Sequence, residues 1–349
     1  MTPSTPVPPA GRLPAGPRSG RPAALCAVLA ALCAAAACGP GGAAPAAEGG
    51  TRTVEAANGT VEVPADPRRV AVLWRPTLAA ATLLGADVVA APGDPGAPGG
   101  GLAPFLPADP PEPGPEVVSD SPAENDIDIE RLATTEPDLI IGVRTGNGLQ
   151  AELLPRLEAI APTVLLDWDG TASWRDHLTE VGAVLDRGAR AEEAEAGYRA
   201  AVDQAREEIE AAAGDPAGIE VSLVRLQDER EIRLETPASF PGQVIADLGF
   251  ARPATQRTAP DGTGTDYIAE SYENLDRADG DIVFVLAGSG YADAPGTFTG
   301  GVWDELGAVR RERVFAADYD QWGASNHYAA HRIIDDVTGA VTGETAPAV

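Results

Sequence analysis

The stretch Glu130 to Ile141, ERLATTEPDLII, recurs as Glu273 to Phe284, ENLDRADGDIVF. Each copy reads Glu-x-Leu, then five residues, an Asp and an apolar run. The pattern predicts a helical turn that leads into a buried strand. Because the copies begin far apart, at positions 130 and 273, they indicate two similar α/β halves with a ligand cleft between them, rather than a short-period solenoid. Coincidence is the alternative, since a short match before an apolar strand is not rare.

The composition limits the partners that this chain can have. Its 349 residues are enough for about two domains. All 25 basic residues are Arg, against 53 acidic residues, and the formal net charge is −28. A nucleic-acid backbone or an anionic membrane surface would be repelled by this charge, so we expect neither as a partner.

The amino-terminal residues have the pattern of an export signal. Arg12, Arg18 and Arg21 precede an apolar run, Ala23 to Ala37, which is shorter than the roughly 20 residues that span a bilayer. Cys38 follows the run, and small residues before a Cys resemble the lipobox of bacterial lipoproteins, in which that Cys is lipidated.

Two details bear on this interpretation. Ala35 stands where the lipobox usually has Leu, and an ordinary secretory signal is the alternative. Cleavage before Cys38 would remove Cys26 and Cys33, so the mature chain would hold one Cys and no internal disulfide.

The remainder of the chain alternates predicted strands and helices. Strand and helix patterns alternate between Val70 and Leu166, which favours a parallel sheet covered on both faces. The longest helical pattern, Ala189 to Ala213, has an apolar stripe and an acidic opposite face. It ends at Gly214-Asp215-Pro216, where we place a domain boundary.

Candidate ligand-binding residues lie where predicted strands end, because ligands of open α/β sheets bind beyond the carboxyl ends of the strands. The residues at these ends are Trp74, Arg75, Arg144, Arg225, Gln227, Tyr291, Tyr319 and Trp322. Arg233 alternates with apolar residues as Arg225 does, so one of the two could face solvent. Arg supplies a fork of donors for oxygen ligands, and Trp or Tyr stacks on flat groups.

Several short segments, in this order, resemble one family. They are Pro67-Arg68-Arg69-Val70, Leu83-Leu84-Gly85, Ile129–Leu132, Glu136–Gly142, Ile160–Val164, Val224-Arg225, Phe240-Pro241-Gly242, Asp247–Phe250, Trp303–Leu306 and Trp322. Together they resemble the substrate-binding proteins of bacterial iron-siderophore ABC importers, a group that also includes cobalamin and haem binders. The resemblance implies two Rossmann-like, three-layer α/β lobes joined by a single long helix, with the ligand cleft between the lobes.

On this basis the chain divides into five parts. We expect a signal peptide at 1–37, a flexible tether at 38–52, an N-terminal lobe at 53–188, a linking helix at 189–213 and a C-terminal lobe at 214–349. The lipidated Cys38 would hold the protein on the outer face of the bacterial cytoplasmic membrane.

The resemblance also implies a function. The protein would capture a ferric siderophore and deliver it to an ABC permease, as a monomer, without a resident cofactor and without catalysis. Glu130 and Glu273 match the exposed carboxylates with which this family docks onto Arg pockets of the permease; alternatively, each Glu stabilises a helix amino terminus. Arg225 and Trp322 match cleft positions of the family. An Arg that some relatives carry near Ser239 is missing here, which leaves the charge of the ligand open.

Other functions remain as alternatives. Haem or cobalamin would suit the same fold, and haem could take an axial ligand from Tyr267, Tyr291, Tyr319, Tyr328 or His327. His327 and His331, four residues apart on one predicted helix face, would suit a direct metal-ion binder. An enzyme has less support, because the chain contains neither a Gly-x-Ser-x-Gly elbow nor a phosphate-binding loop.

Overall fold

The computed structural model describes residues 50–120, 126–145, 149–227, 230–257, 266–288 and 300–348. All of them belong to one compact unit, Ala47–Val349. This unit begins with an antiparallel hairpin of β1 (Thr51–Ala56) and β2 (Gly59–Pro64). The register pairs Ala56 with Gly59, so Ala57 and Asn58 form the two-residue turn of the hairpin. The signal, the tether up to Gly49 and the predicted lipidation site at Cys38 lie outside the described residues.

The first half contains a five-stranded parallel sheet in the order β5-β4-β3-β6-β7. Its strands are β3 (Val70–Val72), β4 (Val88–Ala91), β5 (Glu116–Val117), β6 (Leu139–Arg144) and β7 (Thr163–Asp167). Its helices are α1 (Arg75–Leu83), α2 (Ile129–Thr134), α3 (Leu149–Leu157) and α4 (Trp174–Val184). Asp128 caps α2 by accepting from the backbone N–H groups of Glu130 and Arg131. The parallel sheet predicted from the alternating pattern is confirmed.

The second half contains a mixed sheet in the order β10-β9-β8-β11-β12. Its strands are β8 (Val221–Leu226), β9 (Glu231–Glu235), β10 (Tyr267–Ser271), β11 (Ile282–Ala287) and β12 (Val314–Asp318). Here β8, β11 and β12 are parallel, whereas β9 is antiparallel to both β8 and β10. The described helices are α6 (Phe240–Asp247), α7 (Val302–Glu305), α8 (Gly307–Arg310), α9 (Tyr319–Trp322) and α10 (His327–Thr342).

The two copies of the repeated pattern fold differently at their amino ends. In the first copy, α2 leads into β6 as predicted. In the second copy, β10 ends at Ser271 and a 3-10 helical stretch, Tyr272–Ala278, precedes β11, so the helical turn expected from the repeat is present there as 3-10 helix. The Pro- and Gly-rich connection between β4 and β5 contains two 3-10 turns, Pro98–Gly101 and Ala103–Phe105. The other 3-10 turns are Thr171–Ser173, Pro216–Gly218 and Ala254–Gln256.

The long helix α5 (Gly188–Ala213) follows α4 and leads from the first sheet to the second in the chain. Its buried stripe comprises Ala191, Tyr198, Val202, Ala205 and Ile209, and it packs against α4 and α10. Among the described residues, no helix is both long enough and apolar enough to cross a bilayer.

Strand alternation divides the core into layers. Val70 and Val72 of β3, and Val221 and Leu223 of β8, belong to one hydrophobic cluster that the two halves share. The alternate positions of β3 and β8 pack in separate clusters on the outer face of each sheet. Each sheet is therefore covered on both faces. The mixed α/β class and the two lobes expected from the sequence are confirmed.

Candidate ligand-binding groove

Strand register places four functional side chains on one face of the second sheet. Arg225 lies opposite Arg233 in the β8–β9 pairing, and Glu235 lies opposite Tyr267 in the β9–β10 pairing. Residues two apart on a strand share a face, so all four point the same way. Arg225 also follows Leu223, whose side chain faces the shared core. The sheet face that packs in the core at Leu223 thus continues beyond the core as a wall of polar and aromatic side chains.

The arginines of this wall are held by aromatic rings and carboxylates. The guanidinium carbon of Arg225 lies 4.5 Å from the ring centroid of Tyr319 and 5.2 Å from that of Tyr267, while Arg233 lies 4.0 Å from that of Tyr267. Nη1 of Arg225 donates to the Tyr319 hydroxyl. Its Nε lies 3.0 Å from Oε1 of Glu235, an ion pair without the alignment of a hydrogen bond. These contacts restrict the guanidinium groups before any ligand arrives.

The opposite wall comes from the first half of the chain. Arg75 begins α1 directly after β3, and its guanidinium carbon lies 5.3 Å from the Phe105 ring centroid. A cavity of about 390 Å³ lies between this pair and α9. Ligand pockets span about 300–1,000 Å³, so this cavity is of ligand size.

A second, smaller cavity is lined by Arg225, Arg233, Glu235 and Tyr267. The two cavities share Tyr319 and Gly323. We call the two neighbouring cavities together the interlobe groove.

Hydrogen bonds tie the two walls together at the ends of the interlobe groove. Thr171, which follows β7, donates to Asp266 at 2.8 Å, immediately before β10. At the other end, Asn326 and Arg332 donate to the backbone carbonyl of Pro104, both at 3.2 Å. The groove is therefore bounded by contacts between elements distant in the chain.

Burial changes the ionisation of the groove residues. Desolvation raises the pKa of Glu235, which is 2% exposed, although the charge of Arg225 opposes this. Desolvation, with the Glu235 charge, raises the pKa of Tyr319 to about 12. Behind the wall, desolvation lowers the pKa of the fully buried Arg252 to about 9, and this residue donates to the Glu235 carbonyl and to Gln256. The Tyr319 phenol stays protonated at neutral pH.

The structure brings some of the sequence-predicted residues together. Arg75, Arg225 and Arg233 line the interlobe groove, and Arg225 and Arg233 share one face of the sheet. Trp74 precedes Arg75 and packs edge-on against Trp168 at 5.7 Å. Its indole N–H is buried and has no hydrogen-bond partner within the part of the chain that the structure describes.

The placement of Arg144 corrects its assignment to the cleft. Arg144 lies opposite Asp167 in the β6–β7 register, and the two side chains pair at 2.7 Å. It also donates to the carbonyl of Ala57 at the turn of the β1–β2 hairpin. Arg144 lines a different cavity, together with Glu180 of α4. Asp167 on the neighbouring strand and the β1–β2 hairpin hold the Arg144 side chain in place. The position of Arg144 at a strand end does not predict these contacts.

Trp322 is also placed away from the groove, contrary to the sequence-based expectation. It is 1% exposed and packs against Phe284 at 5.0 Å between ring centroids, and its indole donates to Asp336 at 2.8 Å. The short helix α9 directs Trp322 into the core and leaves Tyr319 at the groove. Gln227 is half-buried at the end of β8 and does not line the groove cavities, and Tyr291 lies outside the described residues.

Sequence reasoning missed several groove residues. They are Phe105, Thr171, Glu235 and Asp266. The sequence suggests Tyr267 only as an alternative haem ligand, whereas Tyr319 is among the strand-end candidates. A polar residue at the end of an apolar alternating strand, as Glu235 is in EIRLE, was the available signal. Its antiparallel pairing with β8 could not be read from the sequence.

The histidines lie outside the interlobe groove. His327 is 4% exposed and packs edge-on against Trp174 at 4.6 Å, and His331 contacts Tyr198 at 6.1 Å. In the described ranges, no three His, Cys, Asp or Glu side chains are grouped to hold a metal ion. The four-residue spacing of His327 and His331 therefore places both side chains against the aromatic rings of the core.

The two carboxylates of the repeated pattern are both exposed. Glu130 lies in the first turn of α2, and Glu273 lies in the 3-10 stretch after β10. Neither forms a part of the groove lining. Each precedes a central strand of its own sheet, β6 or β11, so the two occupy related positions in the two halves.

Comparisons with known proteins connect this geometry to a family. The chain is 28% identical over 303 residues to the probable siderophore-binding lipoprotein YfiY of Bacillus subtilis, covering 82% of this chain and 86% of that protein. It is 29% identical to the iron(3+)-hydroxamate-binding protein FhuD of Bacillus subtilis, over 77% of this chain and 79% of that protein.

A similar solved structure is a FhuD fold-family periplasmic binding protein component of a Fep/Fec-like ferrichrome ABC transporter from Bacillus subtilis. The TM-score is 0.67 at 25% identity, over 83% of this chain and 99% of that chain. Residues 105–320, more than half of the sequence, match the periplasmic binding protein family. This protein therefore belongs to the periplasmic binding protein family.

Proposed function

We propose that the protein captures a ferric siderophore in the interlobe groove and delivers it to an ABC permease. The observation that carries this proposal is a pair of neighbouring cavities that share Tyr319 and Gly323. Arg225 and Arg233, held against tyrosine rings, line the smaller cavity, and Arg75 and Phe105 line the ligand-sized one. Guanidinium forks suit the oxygen donors of a ferric chelate, and the rings suit its flat or apolar parts. The names of the curated relatives support the same ligand class.

The proposed role is binding without chemistry on the ligand. The ferric chelate is cargo, and no resident cofactor is proposed. Most groove residues are already held by stacking, ion pairs or hydrogen bonds, which limits the ordering that binding requires. The protein would act as a monomer.

Ligand capture can be tested by fluorescence. Ferric chelates absorb where tryptophan emits, so adding a bound ferric siderophore to purified protein should quench the emission of nearby Trp74 and Trp168. Arg225→Ala and Arg233→Ala should each weaken affinity about tenfold or more, because each removes charge-assisted donors from the groove.

Arg144→Ala is the matched control, since that arginine lines a separate cavity. Its affinity should equal that of the unchanged protein. If no chelate in a panel of hydroxamates, catecholates and carboxylates quenches the emission, the proposed function is wrong. If Arg144→Ala weakens binding and the groove variants do not, the site has been misplaced.

We further propose that Glu130 and Glu273 dock the loaded protein on the permease. Both are exposed and lie outside the groove, and they sit on separate lobes, as a two-subunit permease would require. Glu130→Arg or Glu273→Arg should therefore abolish uptake of radioactive iron chelate by cells while leaving affinity unchanged. Glu207→Arg, on the exposed face of α5, makes the same charge change away from both lobes' docking positions and should retain uptake. Lost affinity in a docking variant would instead assign that residue to the binding site.

Finally, we propose that Cys38 anchors the protein in lipid on the outer face of the cytoplasmic membrane. The support is the apolar run and small residues before Cys38. Acyl chains can hold a protein on a membrane that its acidic surface does not favour. Cys38→Ala should move the protein from the membrane fraction to the soluble extracytoplasmic fraction. An unchanged distribution would contradict the anchor.

A further inference from the structure

The interlobe groove contains more carboxyl groups than guanidinium groups. Among the described residues that line its two cavities, three are arginines: Arg75, Arg225 and Arg233. Five are acidic: Asp94, Glu235, Asp266, Asp318 and Asp320. A groove built to hold a strongly anionic ligand would have the opposite balance, because an excess of negative charge inside it repels the ligand.

The positive groups of the second wall are also locally neutralised. Arg225 pairs with the buried Glu235 at 3.0 Å, and Arg233 pairs with Glu231 at 3.2 Å. Their N–H groups can still donate to ligand oxygens, but their charges are largely balanced before binding. The arginines consequently act here as shaped donors more than as a source of positive potential.

The carboxyl groups are distributed along the whole groove. Glu235 and Asp266 line the cavity beside β9 and β10, and Asp94, Asp318 and Asp320 line the cavity beside α1 and α9. A ligand that fills both cavities therefore meets negative groups at each end. Desolvation raises the pKa of Glu235 and of Asp318. With Glu235 protonated, four carboxylates face three arginines, and with both groups protonated the numbers are equal.

Resting on the proposed function, we infer that the ligand is a neutral or cationic ferric chelate, and that Glu235 and Asp266 help the groove to reject strongly anionic ones. Three hydroxamates neutralise one ferric ion, so such a chelate is neutral, or cationic if it carries an ammonium group. Three catecholates leave the complex trianionic. Desolvating a trianion where carboxyl groups outnumber guanidinium groups is unfavourable, whereas an ammonium group would gain from that excess.

Three chelates of different charge test this inference by fluorescence quenching of the purified protein. The probes are ferrioxamine B, which is monocationic, ferrichrome, which is neutral, and ferric enterobactin, which is trianionic. At low ionic strength the first two should bind at least about tenfold more tightly than the third, and added salt should reduce the difference.

Two variants test whether Glu235 and Asp266 cause the preference for neutral and cationic chelates. Glu235→Gln removes a carboxylate with little change of shape, and Asp266→Asn does the same while keeping an acceptor for Thr171. Each variant should reduce, by about tenfold, the ratio of the affinity for ferrioxamine B to the affinity for ferric enterobactin. Glu207→Gln, the same change on the exposed face of α5, should leave the ratio unchanged.

The outcomes separate this inference from the proposed function. If ferric enterobactin binds as tightly as the other chelates, or more tightly, the charge inference is overturned while siderophore binding stands. If the chelates bind in the expected order but neither variant shifts the ratio, the assignment to Glu235 and Asp266 is overturned. If none of the three binds while an anionic carboxylate chelate of the wider panel does, the charge inference fails and siderophore binding stands. If no chelate of that panel binds, both the inference and the proposed function fail.

Discussion

Gly242 occupies a position in which one added carbon has no room. It lies in the first turn of α6, and a Cβ there would come 1.9 Å from the backbone carbonyl oxygen of Thr236 and 2.9 Å from Ser239 Oγ. Ser239 caps the helix by accepting from the Gly242 N–H at 3.1 Å. The contact is therefore with backbone next to Glu235 in the groove wall, and a flexible side chain cannot relieve it.

We predict that Gly242→Ala lowers the free energy of unfolding by about 2 kcal/mol or more, because the helix start must move away from Thr236. Gly197→Ala is the control, because Gly197 lies on the exposed face of α5 with nothing within 4 Å of an added Cβ. That change should raise the free energy of unfolding by about 0.5–1 kcal/mol. Urea unfolding measures both, and equal stability of the two variants would contradict the steric argument.

At the scale of elements, α4 and α6 are tied by a polar cluster. Arg175 pairs with Asp247 and lies over the rings of Trp174, at 4.6 Å, and Tyr198, at 4.9 Å. The hydroxyl of Tyr198, on α5, also donates to Asp247 at 2.7 Å. The cluster thus connects a helix of each lobe to the helix between them.

We predict that Arg175→Met lowers the free energy of unfolding by about 1–2 kcal/mol. It leaves the half-buried carboxylate of Asp247 without its cation, and partial exposure of the pair limits the loss. Arg199→Met makes the same substitution at an exposed arginine that pairs with Glu195 on α5, and should cost less than about 0.5 kcal/mol. If urea unfolding shows equal losses in the free energy of unfolding for the two variants, the cluster contributes no more to stability than a surface ion pair.

For the whole molecule, two buried imidazoles predict a loss of stability in acid. Burial lowers the pKa of His177 and of His327 to about 4, from an ordinary value of 6.5, although Glu195 opposes the shift at His327. The unfolded chain therefore takes up protons as the pH falls below 6.5, while the folded protein does so only near 4. Each histidine can reduce the free energy of unfolding by up to about 3 kcal/mol over this range.

His327→Phe should make the decline in stability between pH 6.5 and pH 4 shallower, because it removes one of these proton-binding groups and keeps an aromatic ring against Trp174. The raised pKa values of Glu180 and Glu235 act in the opposite direction, so the difference between variant and unchanged protein is the informative quantity. Thermal unfolding across this pH range measures it. Identical pH profiles would show that His327 titrates normally in the folded protein.

The sequence by itself determined the two α/β halves, the α2–β6 unit and the long helix α5. These follow from hydrophobic periodicity and local capping, which depend on neighbours within a few residues. It also marked Arg75, Arg225 and Arg233 as groove candidates, because the carboxyl ends of strands are where ligands bind.

Only the tertiary structure decided which strand-end residues share a site. Arg225, Glu235 and Tyr319 meet through strand pairing and helix packing between segments far apart in the chain. The same long-range contacts direct Arg144 to the hairpin and Trp322 into the core. Register and packing depend on the whole folded chain, so no local pattern could separate the residues that face the groove from those that only resemble them.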